Sequence, residues 1–239
     1  MKRELLRCLC RPLYWAIIGT GLAVRLVMAW LDQMYRSEIF WTLSTDFWNK
    51  VGSATEGFLI ILVLIHLFSV DQESGTRPVV ISTVHGRKRL LWERFTAGIT
   101  AACIGVVFLT FGNLTITTAC GWGLPSPEKW LAIFLMISVT ALIGSAGFFL
   151  LCSCVCDMTQ NQPMAMCICG LPFAISYFIN ADIVHPPEPL WFIRYGFFTE
   201  LMRGRGIQSA PIFWIGWYSA LLLGVLILAL IKRKERKEL

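Results

Sequence analysis

Long apolar runs separated by short polar stretches dominate the chain. They cover residues 13–31, 51–70, 95–120, 130–155, 163–183 and 212–231. About 20 residues at 1.5 Å each cross a hydrocarbon core of about 30 Å, so every run is long enough to span a bilayer as a helix. Ahead of the first run the pattern changes. Leu5, Leu6, Leu9 and Leu13 recur at helical spacing, with Lys2, Arg3, Arg7 and Arg11 largely on the other face. This predicts an amphipathic helix over residues 1–12, lying at headgroup level before the chain turns into the membrane. The first run is too long for the apolar core of a signal peptide, and no small-x-small cleavage site follows it before Asp32, so it is expected to remain a span. The predicted fold is all-α. It is one polytopic transmembrane domain of six membrane helices with an N-terminal interfacial helix.

Composition supports that class. The 239 residues are 56% hydrophobic and 15% charged, with a mean hydropathy of +0.64, whereas soluble domains carry about 25% charged residues. Too few polar side chains remain to cover a soluble surface of this size. A soluble enzyme, a nucleic-acid binder and a disordered chain are therefore poor readings. The net charge of +6 is unevenly placed: 14 basic residues fall in the N-terminal arm, the 71–94 loop and the C-terminal tail. Only six (Arg36, Lys50, Lys129, Arg194, Arg203 and Arg205) fall on the opposite side, which includes the outer segment 184–211. Basic residues favour the cytoplasmic side, so both termini are expected there, in a multi-pass protein of the plasma membrane. The positive charge is a topology signal and implies no nucleic-acid partner.

Reactive side chains form no catalytic pattern. Cys152, Cys154 and Cys156 close the fourth run, and Cys167 and Cys169 open the fifth. A thiol or metal cluster is one reading of this group. Against it, a spacing of two turns neighbouring helical residues about 200° apart, and no histidine accompanies them. Asn113-Leu114-Thr115 matches a glycosylation sequon inside a predicted span, where no glycan is expected. No metal or cofactor site is expected in this chain. Small residues at Gly98/Ala102, Ala101/Gly105 and Ala141/Ser145 suit close helix packing, within one subunit or between two.

Two charges lie inside predicted spans. Arg25 precedes the end of the first run by about 10 Å of helix, and Glu56 follows Lys50 by about 9 Å. Adjacent antiparallel helices would bring them to similar depth, where ionised groups are costly unless paired or facing water. A structural ion pair and a polar lining of a substrate path are both consistent with this.

The loop over 71–94 is the most informative stretch. It begins Asp71-Gln72-Glu73-Ser74-Gly75-Thr76-Arg77-Pro78, continues through a short apolar run, and reaches Gly86-Arg87-Lys88-Arg89. Here the chain resembles the permease subunits of ABC transporters of the type-2 exporter family. Those carry a glutamate shortly before a Gly-Thr-like pair, an apolar stretch, then a small residue and Arg before the third span. The matching positions are Glu73, Ser74, Gly75, Thr76, Gly86 and Arg87. Val84-His85 departs from the family, which commonly has a proline near that pair. The six spans, the amphipathic N-terminus, the polar 157–162 turn and the Pro189–Phe198 outer stretch extend the resemblance along most of the chain; in that family such an outer stretch often forms short helices that re-enter the outer leaflet.

The resemblance implies a non-enzymatic permease. Asp71, Glu73, Ser74, Gly75, Thr76, Arg77, Gly86 and Arg87 would form the loop coupled to ABC ATPase subunits, expected as two copies. The chain has no ATP-binding motif, so ATP would be bound and hydrolysed by those separate subunits. A second permease, identical or paralogous, would complete the substrate pathway in the lipid bilayer. The length also matches small bacterial permeases that export antimicrobial peptides or other amphipathic compounds and confer immunity. The alternatives are a polytopic membrane enzyme with a cytoplasmic-side thiol or metal site, and a non-transporting assembly or sensor protein.

Overall fold

The architecture comes from a computed structural model describing residues 2–34, 47–73, 84–120, 127–159, 163–164, 166–168, 170–171, 174, 198–203, 223–227 and 229. These residues are almost entirely helical. Helix α1 spans Lys2–Leu9 and α2 spans Pro12–Met34. A π-helical turn, Phe47–Gly52, leads into α3, Ser53–Glu73. Helix α4 spans Val84–Ala119, α5 spans Pro127–Thr159, and the one-turn α6 covers Thr199–Met202. Pro12 and Pro127 each open a helix, at the first position where a missing N–H costs nothing and the ring fixes φ correctly.

Four helices are long and apolar enough to cross a membrane: Pro12–Leu31, Phe47–Phe68, Trp92–Ala119 and Phe134–Thr159. They correspond to the first four predicted runs and support a helical membrane protein. The fifth and sixth runs lie mostly outside the described residues. Positions 163–164, 166–168, 170–171, 174, 223–227 and 229 are described, and all are helical.

Side-chain contacts set the direction of each helix. The Tyr14 hydroxyl donates to the Ala101 carbonyl at 2.7 Å, and Arg25 Nε donates to Asn113 Oδ1 at 2.7 Å, so α2 and α4 run parallel. The Arg94 guanidinium lies 5.4 Å from the Phe68 ring centroid, while Gly105 faces Glu56 and Leu59, so α3 runs antiparallel to α4. Gly98 faces Phe149, and the Phe111 and Phe134 ring centroids are 6.2 Å apart, which makes α5 antiparallel as well. Consecutive long helices therefore alternate in direction. The α1–α2 turn, the end of α3, the start of α4 and the end of α5 share one end of the bundle.

The core is continuous through these helices. Tyr14, Trp48, Leu59, Leu67, Leu109, Phe149 and Met202 are among its fully buried members. Gly98 and Gly105, expected as close-packing positions, are filled by Phe149 and by Leu59 with Glu56 of this same chain. Within this chain, that is packing inside one subunit. Helix α1 packs Leu5, Cys8 and Leu9 against the same core.

The short segment 198–203 packs against the middle of α5. Its Leu201–Met202 backbone lies against Gly144 and its Phe198 ring lies against Gly147. Both glycines are near the middle of the apolar Phe134–Thr159 stretch. Arg203 of the same segment is buried with them. Two glycines on adjacent turns of α5 make the notch that admits this segment. Phe198 adopts a φ of 61°, a left-handed conformation uncommon for a bulky residue. Its ring is buried in the notch, which holds it there.

Candidate functional site

The seam where α2, α3 and α4 meet is polar along its length. Arg25 of α2 is only 2% exposed, and Glu56 of α3 is fully buried. From α4, Thr110, Asn113 and Thr117 are buried on one face at spacings of three and four residues. Ser53 lies one turn before Glu56 on α3 and is buried too.

These groups divide into two sets. The Arg25 guanidinium is held by α4: Nε donates to Asn113 Oδ1 at 2.7 Å, and Nη2 reaches Thr117 Oγ1 at the long limit of 3.5 Å. Thr117 Oγ1 in turn donates to the Asn113 carbonyl at 2.7 Å. The second set is Glu56 and Ser53. Both Glu56 carboxyl oxygens and the Ser53 hydroxyl are buried without a hydrogen-bond partner among the described residues.

Arg25 and Glu56 are therefore on the same seam but are not hydrogen-bonded to each other. Register explains the difference from the expected similar depth. A Cβ added at Gly21 would lie 2.6 Å from Thr55 Oγ1, so the turn of α3 bearing Glu56 packs at the level of Gly21. Arg25 is one turn, about 6 Å, farther along α2. The π-helical turn also starts the second apolar stretch at Phe47 rather than 51, which puts Glu56 deeper than expected. The carboxylate lies against Gly105, where an added Cβ would be 2.8 Å from Oε2. A larger residue at 105 would displace the side chain.

Asn113, Thr117 and Ser53 escape a reading that looks only for charges. Their signal is present nonetheless, as polar residues recurring every three or four positions in an apolar run. The apparent sequon at Asn113 is in fact a buried partner for Arg25.

The positions of the loop motif divide between helix ends and undescribed chain. Asp71 and Glu73 lie in the last turn of α3, and Gly86 and Arg87 lie in the first turn of α4. Ser74, Gly75, Thr76 and Arg77 fall outside the described residues. Helix α4 starts at Val84, well before its apolar stretch begins at Trp92. That extends the helix by about 12 Å beyond the apolar part.

Among the described residues the cysteines do not converge, and Cys169 lies outside them. Cys152 belongs to the main core, while Cys154 packs in a smaller cluster with Phe95, as alternate helical positions require. Among the described residues no three His, Cys, Asp or Glu side chains are placed to hold a metal. Outside the long helices, burial pushes the Cys8 thiol from 9.0 up to about 11, with Glu4 adding to the shift and Arg11 opposing it. Such a thiol stays protonated and unreactive near neutral pH. No family of known proteins, no curated protein and no solved structure matches this chain.

Proposed function

We propose that the chain is the membrane-spanning permease subunit of an ABC exporter, driven by two separate ATPase subunits. The observation that carries this reading is the Glu73–Arg87 motif at the junction of two spanning helices. The geometry of that junction supports it. Motif residues lie on the ends of α3 and α4, so a push on the loop acts directly on two long helices. The extension of α4 beyond its apolar stretch gives the loop reach toward a soluble partner.

In this reading 163–183 and 212–231 complete six spans, both termini are cytoplasmic, and α1 lies at the inner headgroup level of the plasma membrane. A second permease, identical or paralogous, faces the first. Amphipathic compounds such as antimicrobial peptides are the cargo class. Closure of the ATPase pair would tilt α3 and α4 and open the pathway outward, which requires a coupling free energy between ATP state and cavity state. Along the α2–α3–α4 seam, buried polar groups mark where the bundle tolerates charge within the membrane.

The test is purification from native membranes with identification of the associated subunits, using wild type, Gly75→Val and Glu73→Lys/Arg87→Glu. An ATPase subunit should accompany the wild type. Both variants should insert normally, yet lose the ATPase or hydrolyse ATP without export. Normal association and export by both variants would overturn the coupling assignment. Absence of any ATPase from the wild-type preparation would overturn the permease assignment.

A further inference from the structure

The outward face of α1 carries a second kind of chemistry. The helix is fixed in orientation: Leu5, Cys8 and Leu9 pack against the core, and the Trp15 indole N–H donates to the Leu9 carbonyl at 2.7 Å across the turn into α2. Consequently Arg3, Leu6 and Arg7 of α1 are exposed, Leu6 by 57%; Arg11 in the following turn and Leu13 at the start of α2 are exposed too, Leu13 by 54%. Arg7 bridges to Glu4 at 3.0 Å. The Arg3 and Arg11 side chains form no hydrogen bond or ion pair among the described residues.

Tryptophans fix the level of this face. Trp15 and Trp92 are exposed at the α1 end of the bundle, and Trp30 is exposed at the other end of α2. Trp15 and Trp30 are separated by about 22 Å of helix. Exposed tryptophans collect where acyl chains give way to headgroups. Arg3, Arg7 and Arg11 lie at the Trp15 end of the bundle, where headgroup phosphates would be met, and the exposed Leu6 and Leu13 suit acyl chains better than water.

We propose that this face binds anionic phospholipid, with Arg3, Arg7 and Arg11 meeting headgroup phosphate and Leu6 and Leu13 entering the acyl region. Guanidinium forks match phosphate oxygens, and clustered basic residues beside a span are attracted to anionic leaflets. The proposal rests on the placement of α1 at the membrane surface and is independent of ATPase coupling.

The test is titration of the detergent-solubilised full chain with short-chain phosphatidylglycerol, and with phosphatidylcholine of equal chain length. Wild type should prefer phosphatidylglycerol. Arg3→Gln/Arg7→Gln/Arg11→Gln should weaken that binding on the order of tenfold. The corresponding Lys replacements should retain most of it, and Glu4→Gln, which frees Arg7, should strengthen it. Lys232→Gln/Arg233→Gln/Lys234→Gln should change it little. Undiminished binding by the triple Arg variant, an equal loss from the tail variant, or full displacement by inorganic phosphate would each overturn the lipid site. A nitroxide at position 6, in a background without other cysteines, should report interfacial depth in phosphatidylglycerol-containing nanodiscs. A fully aqueous signal would overturn the surface placement, separately from the lipid preference.

Discussion

Two seams of this bundle share helix α4 and are built from different material. Between α4 and α5 the contacts are small residues against aromatics: Gly98 faces Phe149 and Phe111 meets Phe134. Between α4 and the α2–α3 pair, arginine, asparagine, threonine, serine and glutamate are buried at comparable depth. The first seam is held mainly by shape, although the buried Ser145 hydroxyl of α5 also lacks a hydrogen-bond partner among the described residues. The second retains groups that are expensive in a low-dielectric interior, and it satisfies them unequally. Arg25 has neutral partners on α4, whereas Glu56 and Ser53 have no hydrogen-bond partner among the described residues. Apolar packing would have sufficed for stability, so the polar seam is the more informative place to look for function.

The sharpest way to break this contrast is to overfill the apolar seam. A Cβ at Gly98 would run into the buried Phe149 ring. Gly98→Val should therefore destabilise the chain by about 3 kcal/mol, with partial recovery in Gly98→Val/Phe149→Leu. Reversible unfolding in mixed micelles measures both. A neutral outcome for the single change would mean that the α4–α5 seam is loosely packed.

On the polar seam the two charges should behave differently. Arg25→Met removes the donor to Asn113 Oδ1 and should cost about 2 kcal/mol in the same assay. Glu56→Met removes a carboxyl with no hydrogen-bond partner, so it should be neutral or stabilising by about 1 kcal/mol. The double variant should be additive to within about 0.5 kcal/mol, because no hydrogen bond links the two residues. A coupling near 2 kcal/mol would restore the direct ion pair. Stable, well-folded Glu56→Met that fails to export would assign the carboxylate to the transport pathway.

The smallest effect belongs to Cys8, at the edge of the core. Its folded thiol keeps its proton up to about 11, while the unfolded thiol ionises near 9.0. The stabilisation from this difference is fully present below pH 9 and is lost as pH rises toward 11. A variant retaining Cys8 alone should alkylate slowly at pH 8 and accelerate only above about pH 10. Rapid alkylation at pH 8 would show that α1 leaves the core readily.

The sequence alone determined the helical membrane class and the location of four long helices, because about 20 consecutive apolar residues admit few other structures. It also marked the two intramembrane charges; on α1 it grouped Leu6 with Leu5 and Leu9, whereas Leu6 is exposed and Cys8 takes the buried position between them. Helix ends were less legible: the loop expected over 71–94 begins after α3 ends at Glu73, and α4 has already begun at Val84. Polar residues at the ends of membrane helices do not reveal where backbone hydrogen bonding stops. Tertiary structure alone decided the partners. An offset of one turn between α2 and α3, with a π-helical start to the second apolar stretch, separates Arg25 from Glu56 and gives Arg25 to Asn113 and Thr117. The same holds for residues 198–203, whose contacts with α5 no local pattern announces. Gly144, distant in sequence, leaves room for the Leu201–Met202 backbone, and Gly147 leaves room for the Phe198 ring. Helix existence follows from local hydrophobicity, but register and depth depend on how side chains of several helices fit together.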